Sequence, residues 1–248
     1  MKQSQKVQGE LIFGLHPILE VIKAKKRKLI SLYTTRPEPK GWQQVVDALG
    51  EKKVPIQYVE RAVLTRMAET PDHQGIVGWV MPFVFKKQMF EAAKYPVLLM
   101  LDSIQDPRNV GAMLRSAYCT GIDGVIMIRK GGSPLTATAL KSSAGLAEHV
   151  PIFLAGSVQE AAQLIKQAGY TMYLATFNGS NVMQVAFKAP LCLVIGSEGV
   201  GVSKSILKEG IAVTLPQRTK DISYNASVAA GILSFLVTTK IGLLSSSK

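Results

Sequence analysis

Cysteine is nearly absent from this chain: only Cys119 and Cys192 occur in 248 residues. Both sit in apolar stretches. Two cysteines without metal-ligand spacing argue against a disulfide framework and suit a reducing compartment. Long hydrophobic runs are missing too; none approaches the roughly 20 residues that a bilayer-spanning helix needs. The opening MKQSQKVQGE is polar and lacks the apolar core of a secretion signal. The expectation is a soluble cytoplasmic protein with no membrane partner. Histidine is scarce, and His16, His73 and His149 form no H-x-x-x-H pattern. With no C-x-x-C either, no metal site is expected. No G-x-S-x-G elbow occurs, so nothing points to a hydrolase of that kind.

Negative charge is the last shortage. Seventeen acidic residues face 29 basic ones, for a formal net charge of +12. Residues 1–95 hold 16 basic and 9 acidic groups, and residues 96–248 hold 13 and 8. The excess is therefore shared along the chain and is not a basic tail. Such a balance suits a polyanion such as nucleic acid, although many ordinary soluble proteins are basic.

What is present is ample core material, 47% hydrophobic residues, arranged in two styles. In the first, GLHPILEVIKAKK (14–26) reads as an amphipathic helix with Leu15, Ile18, Leu19 and Ile22 on one face. KLISLYTT (28–35) reads as a strand, residues 41–53 as a helix and VPIQYV (54–59) as a strand. RAVLTRMAE follows as a short helix, and GIVGWVMPFVF (75–85) as a strand. Residues 1–85 thus predict a small α/β domain. KKQMFEAAKYP (86–96) breaks the pattern and reads as a linker.

Residues 97–248 are of the second style. Apolar runs at 97–102, 124–129, 170–176, 191–196 and 211–216 alternate with the helical stretches VGAMLRSAYCTG, TATALKSSAGLAEH, SVQEAAQLIKQAG, GVSKSILKEG and NASVAAGILSFLVTTK. Apolar strands alternating with helices predict a parallel sheet covered on both faces. Ligands bind such sheets beyond the carboxyl ends of the strands. Three polar clusters fall there: DSIQDPRNVGAMLRS (102–116), VIGSEGVGVS (194–203) and LPQRTKDISYNASVAAGILSFL (215–236).

Each cluster has a functional and a plain reading. Asn109 stands where the loop enters a helix and can cap it. Arg115, on an otherwise apolar helix, is either a clamp on phosphate or carboxylate or a surface arginine with a packed stem. Gly196, Gly199 and Gly201 surround Glu198 with the spacing G-x-x-G-x-G. That spacing is neither the dinucleotide fingerprint nor a P-loop, which argues against a dehydrogenase. Glu198 either serves the site or complements the dipole of a following helix. Ser223, Asn225 and Ser227 alternate before AAGILSFL; one cap explains one of them, not all three.

Taken jointly, NVGAMLRSA, VIGSEGVGVS and SYNASVAAGIL resemble the three motifs of the SpoU branch of the SPOUT methyltransferases. The resemblance covers about 96–240. The preceding part, with GLHPILEVI and HQGI, resembles the L30e-like substrate-binding domain of members that modify 23S rRNA. The resemblance implies transfer of a methyl group from S-adenosyl-L-methionine to a ribose 2′-hydroxyl of RNA. It also implies an α/β catalytic domain whose C-terminal segment forms a trefoil knot, and a homodimer in which two subunits complete the sites. Carried over by position, Asn109, Arg115, Glu198, Ser223, Asn225 and Ser227 match polar positions of the three motifs, and the resemblance implies catalytic roles for Asn109, Arg115, Glu198, Asn225 and Ser227. Gly196, Leu215 and Tyr224, with Ile195 and Ala226 beside them, fall where the family lines the cofactor, largely through backbone atoms. Thr176, beside Asn178 and Gly179, is a further cofactor candidate. This chain departs from the family in the loop PQRTKD, where Met and Gly are usual, and in Tyr224, where leucine is usual. Arg218 and Lys220 add charge to that loop.

The RNA expected is 23S rRNA in preference to tRNA. The basic run Lys23, Lys25, Lys26, Arg27 and Lys28 suits phosphates, or is a solvated helix end. The rival of another class is a non-catalytic RNA-binding protein on a degenerate methyltransferase fold, and the filled motif positions argue against it.

Overall fold

The computed structural model describes residues 9–219 and 222–244. The first unit is a four-stranded sheet of β1 (Glu10–Phe13), β2 (Leu29–Thr34), β3 (Ile56–Tyr58) and β4 (Ile76–Val80), in the order β1-β4-β2-β3. β4 runs antiparallel to both neighbours, and β2 and β3 are parallel. Helices α1 (Leu15–Ala24), α2 (Trp42–Leu49) and α3 (Arg61–Ala68) complete it. The apolar face read for α1 is real: Ile18, Leu19 and Ile22 are buried. β1 escaped the sequence reading because four residues before a glycine carry too little periodicity. The last predicted strand stops at Val80 rather than residue 85, where Pro82 follows and cannot donate to a ladder.

The second unit is a six-stranded, wholly parallel sheet in the order β10-β8-β9-β5-β6-β7. Its strands are β5 (Val97–Asp102), β6 (Gly124–Ile128), β7 (Ile152–Ala155), β8 (Thr171–Asn181), β9 (Leu191–Gly196) and β10 (Ile211–Thr214). α4 (Pro107–Cys119), α5 (Ala137–Ser142), α6 (Val158–Gln167) and α7 (Ala226–Lys240) lie on its faces. The pleat of β5 shows why its sequence is continuously apolar. Val97, Leu99 and Leu101 enter one core with α4 and α7, while Leu98 and Met100 enter another with α6.

Three expectations are corrected here. GVSKSILKEG is not a helix but one 3-10 turn, Lys204–Ile206, because Gly201 takes a left-handed φ of 72° and closes a turn on Ser197. TATALKSSAGLAEH is broken after Ser142, where Ala144 and Gly145 both have positive φ, leaving a separate turn at Leu146–Glu148. β7 was not anticipated, since its four residues IFLA follow a proline without alternation. Both cysteines stand in apolar stretches of sequence, yet only Cys192 is buried; Cys119 is exposed at the end of α4.

Residues 86–96 lie along the second sheet. Lys86 bridges to Phe153, and Phe90 is buried against Gly124, where any side chain would collide with its ring. The two units share one continuous apolar core. Their boundary is also polar. Arg27 donates from Nε to both Glu148 oxygens at 3.1 Å and from Nη1 to Glu10 at 2.8 Å. His149 meets Glu20 at 2.8 Å, and Lys26 donates to the His149 carbonyl at 3.2 Å. Lys141 donates to Gln74. Gly145, with φ of 80°, lets its backbone approach Pro17 and Glu20 more closely than a Cβ would permit. A buried charge pair of this kind is costly to break from one side, by about 3–5 kcal/mol.

Candidate active site

The carboxyl ends of β5, β9, β8 and β10 form one edge, and all three polar clusters gather on it. β5 ends on Asp102, which is fully buried. Its carboxylate accepts from the Ser203 amide at 2.7 Å, from the Ser203 hydroxyl at 2.8 Å and from Ser103 at 3.1 Å. Asp102 thereby ties the loop after β9 to the start of α4. Sequence reasoning missed it; the signal was an acid closing an apolar strand.

α4 begins with Pro107, and its cap is Asp106, whose Oδ1 accepts from the Arg108 amide at 2.8 Å. The capping reading of Asn109 is therefore corrected. Asn109 is the third helical residue, and its amide nitrogen donates to Glu198 across 89 residues of sequence. The dipole reading of Glu198 fails too, because the next helical element is the single 3-10 turn Lys204–Ile206 rather than an α-helix.

Gly196 closes β9 opposite Asp102. A Cβ there would lie 2.0 Å from the Gly201 carbonyl carbon, so only glycine allows the two backbone segments to touch. The Gly201 amide donates to the Ser197 carbonyl at 2.8 Å and closes a turn that presents Glu198, Gly199 and Val200 to solvent. Ile195, one residue back, is buried core paired with Leu101. β8 departs from regular pairing between Leu174 and Ser180, and Gly179 is pressed against the Val213 backbone. Bulges of this kind re-aim side chains near active sites. Thr176 lies in this bulge, and its hydroxyl is buried with no hydrogen-bond partner among the described residues.

In the third cluster Asn225 caps α7. Its Oδ1 accepts from the amides of Ser227 at 2.9 Å and Val228 at 3.3 Å, and from the Ser227 hydroxyl at 2.6 Å. Tyr224 reaches back to donate to the Pro216 carbonyl at 3.4 Å, beside the half-buried Leu215. Ala226 is buried, while Ser223 is exposed. Arg218 is exposed, and Lys220 lies outside the described residues.

The structure thus joins Asn109 to Glu198 and Asn225 to Ser227. It does not join Arg115 to any of them. Arg115 is exposed, with no hydrogen bond or ion pair among the described residues. It sits six residues after Asn109, about 9 Å along the helix and on a different face. Arg108, seven residues before it, shares its face.

The donor set has a clear character. It offers a carboxylate fixed by an amide, an uncompensated guanidinium, backbone brought close by glycine, and one orphaned buried hydroxyl at the end of apolar strands. A flat, partly apolar ligand with polar edges fits the second half of that set, and an anion fits the guanidinium. No group of three or more His, Cys, Asp and Glu residues that could hold a metal occurs among the described residues.

Comparison with known proteins gives the same division. Residues 96–235 match the SpoU rRNA methylase family, and residues 11–83 match the substrate-binding domain of RNA 2′-O ribose methyltransferases. The chain is 31% identical over 242 residues to YacO of Bacillus subtilis, a protein described as a TrmH family tRNA/rRNA methyltransferase, covering 94% of this chain and 96% of YacO. Among solved structures, an RNA 2′-O ribose methyltransferase superposes with a TM-score of 0.83 at 21% identity, covering 96% of this chain and 90% of that one. An AdoMet-bound rRNA methyltransferase from Sinorhizobium meliloti superposes with a TM-score of 0.78 at 20% identity, covering 97% and 90%.

Proposed function

We infer the reaction from one premise: the chain belongs to the SpoU rRNA methylase family. It is a methyltransferase of RNA ribose 2′-hydroxyls, and S-adenosyl-L-methionine is its methyl donor. When bound, that donor supplies an electrophilic methyl group on a sulfonium. Gly196, Leu215 and Tyr224, with Ile195 and Ala226, are the residues that would hold it, mainly by backbone. The observation that supports this placement is Thr176: its buried hydroxyl lacks a partner among the described residues, on the same sheet edge where glycine keeps the backbone bare. A trefoil knot formed by the segment after β9 belongs to the same reading.

The chain's own residues must align a ribose oxygen and accommodate the charge it develops. Alignment of this kind lowers a barrier by several kcal/mol. Arg115 binds a phosphate of the target nucleotide and stabilises the developing alkoxide. A guanidinium is a poor base near neutral pH, so Arg115 is not the resting-state base. Asn109 and Glu198, fixed on each other, position the ribose, and Ser227 and Asn225 hold the loop and the hydroxyl.

Arg115 stands apart from the Glu198 pair, which supports a site completed by a second copy of the chain. α7 offers a surface for that copy, since Val228, Ile232 and Phe235 are exposed at helical spacing beside α4. A homodimer mass in sedimentation is expected, and a strict monomer would overturn this part.

The RNA we propose is 23S rRNA. The match of residues 11–83 to a substrate-binding domain is the carrying observation, because a separate grip suits a large folded RNA. Mapping 2′-O-methylation in ribosomal RNA and tRNA from cells with and without the gene tests it. Loss of one 23S site is expected; loss confined to tRNA would overturn the choice of substrate.

A further inference from the structure

The basic run of the first unit, expected to meet phosphates, is largely committed elsewhere. Arg27 is buried on Glu148 and Glu10, Lys26 donates to His149, and Lys23 pairs with Glu20 at 2.7 Å. The RNA backbone needs another footing. That need rests on the RNA-methyltransferase reading above.

The carboxyl edge of the second sheet offers it. β6 ends at Ile128, and the chain turns through Arg129, Lys130, Gly131, Gly132 and Ser133. Arg129 and Lys130 are exposed, with no ion pair among the described residues. Their backbone is pinned beneath them: the Arg129 amide donates to the Ala155 carbonyl at 2.8 Å, and the Lys130 amide to Gly156 at 3.3 Å. Gly131 supplies the left-handed residue of the turn, with φ of 85°. The Ser133 amide donates to the Ile104 carbonyl at 2.7 Å, and Gly131 faces Ser103. The loop is therefore fastened to the segment that leads into α4, where Arg108 and Arg115 share one face.

The carboxylates along this edge are already engaged. Asp102 holds Ser203, Asp106 caps α4, Glu198 is held by Asn109, and Glu160 accepts from the Gly156 amide at 2.9 Å. These acids bond to amides and hydroxyls, so Arg108, Arg115, Arg129 and Lys130 have no ion-pair partner among the described residues. Positive side chains on a rigid backbone, without acid partners, are what a phosphodiester strand requires.

We propose that the loop 129–133 is an RNA phosphate-binding site. Arg129 and Lys130 grip the backbone of the strand that carries the target ribose, and Arg108 continues the track along α4 to Arg115. The catalytic unit then holds its own RNA strand, and the first unit supplies a separate grip on folded RNA.

The test uses the full-length protein and a fluorescein-labelled, mixed-sequence 20-nucleotide RNA, with anisotropy read across a series of KCl concentrations. The variant is Arg129→Gln with Lys130→Gln. The charge-matched control is Lys52→Gln with Lys53→Gln, at the far edge of the first sheet. Losing two phosphate contacts on a single strand reduces the slope of log K against log salt by about 1.4, with affinity down about tenfold at low salt. Calorimetry with S-adenosyl-L-methionine should match the wild type in both variants. A loop variant with the wild-type slope overturns the proposal, as does an equal loss in the control. Wild-type binding that ignores salt would instead bring down the RNA reading on which the proposal rests.

Discussion

Arg27 in the first unit is 8% exposed and clasped by Glu148 and Glu10. Arg115 in the second unit is exposed on α4 and forms no ion pair among the described residues. The same pattern extends to their neighbourhoods. In the conspicuous basic run at residues 23–28, Lys26 and Arg27 bond across to the second unit, and Lys23 pairs with Glu20 within α1. The sparser cations around α4 and the β6 loop form no ion pairs among the described residues. The two sheets differ in the same sense. β3 is an edge strand exposed at all three residues, whereas β5, β6 and β9 are buried along their full length. A fully buried parallel strand can place polar groups only at its end. That is why the chemistry-bearing residues of the second unit collect at one edge, while those of the first are dispersed. Density of charge in a sequence is thus a poor guide to its use; the availability of partners in the fold decides.

The largest effect should come from the free guanidinium. Arg115→Ala is expected to lower methyl transfer by about 100-fold to 1,000-fold. S-adenosyl-L-methionine affinity in calorimetry should stay within a few-fold. Transfer at the wild-type rate would remove Arg115 from the mechanism and erase the contrast with Arg27.

Glu148→Ala attacks the other side of the comparison. It leaves Arg27 buried with Glu10 as its remaining carboxylate, and should cost about 3 kcal/mol in denaturant unfolding. Replacing the pair together, Arg27→Met with Glu148→Leu, should recover most of that loss, because the one carboxylate left without its cation, Glu10, is partly exposed and keeps the Phe83 amide. If the single variant were as stable as the wild type, the clasp would not hold the units together.

The smallest effect concerns His73, fully buried in the first unit. Its Nδ1 accepts from the Gly75 amide at 3.0 Å, and Nε2 meets Thr65 at 3.1 Å. Burial, with Arg61 adding repulsion, lowers its pKa below the ordinary 6.5. The folded state therefore resists a proton that the unfolded chain accepts. His73 costs no stability above pH 6.5, and stability falls as the pH drops below that value. Thermal melting at pH 7.5 and pH 5 should differ by a few degrees, and the difference should shrink in His73→Gln. An unchanged difference would assign the acid sensitivity to other groups.

Much of the second unit was legible in the sequence, for physical reasons. Strands buried on both faces must be continuously apolar, so β5, β6 and β9 announced themselves. Asn109, Glu198, Asn225 and Ser227 stood out because polar residues are scarce at the ends of such runs. Short elements were not legible: β1 and β7 hold four residues each, too few for a period to register. The turn at Lys204–Ile206 passed for a helix because its composition is helical, while its path is fixed by the Ser203–Asp102 bond 101 residues away in sequence.

The sequence by itself determined that a parallel α/β unit follows a smaller one, which strands are buried, and which residues stand at the strand ends, since all three follow from local apolar patterning. Only the tertiary structure decided which of those residues meet. It joined Asn109 to Glu198 across 89 residues, set Asp102 under Ser203, gave Arg27 to Glu148, and left Arg115, Arg129 and Lys130 without carboxylates among the described residues. Hydrogen bonds and charge pairs act over a few ångströms between atoms, and separation along the chain carries no information about that distance until the sheet order is set.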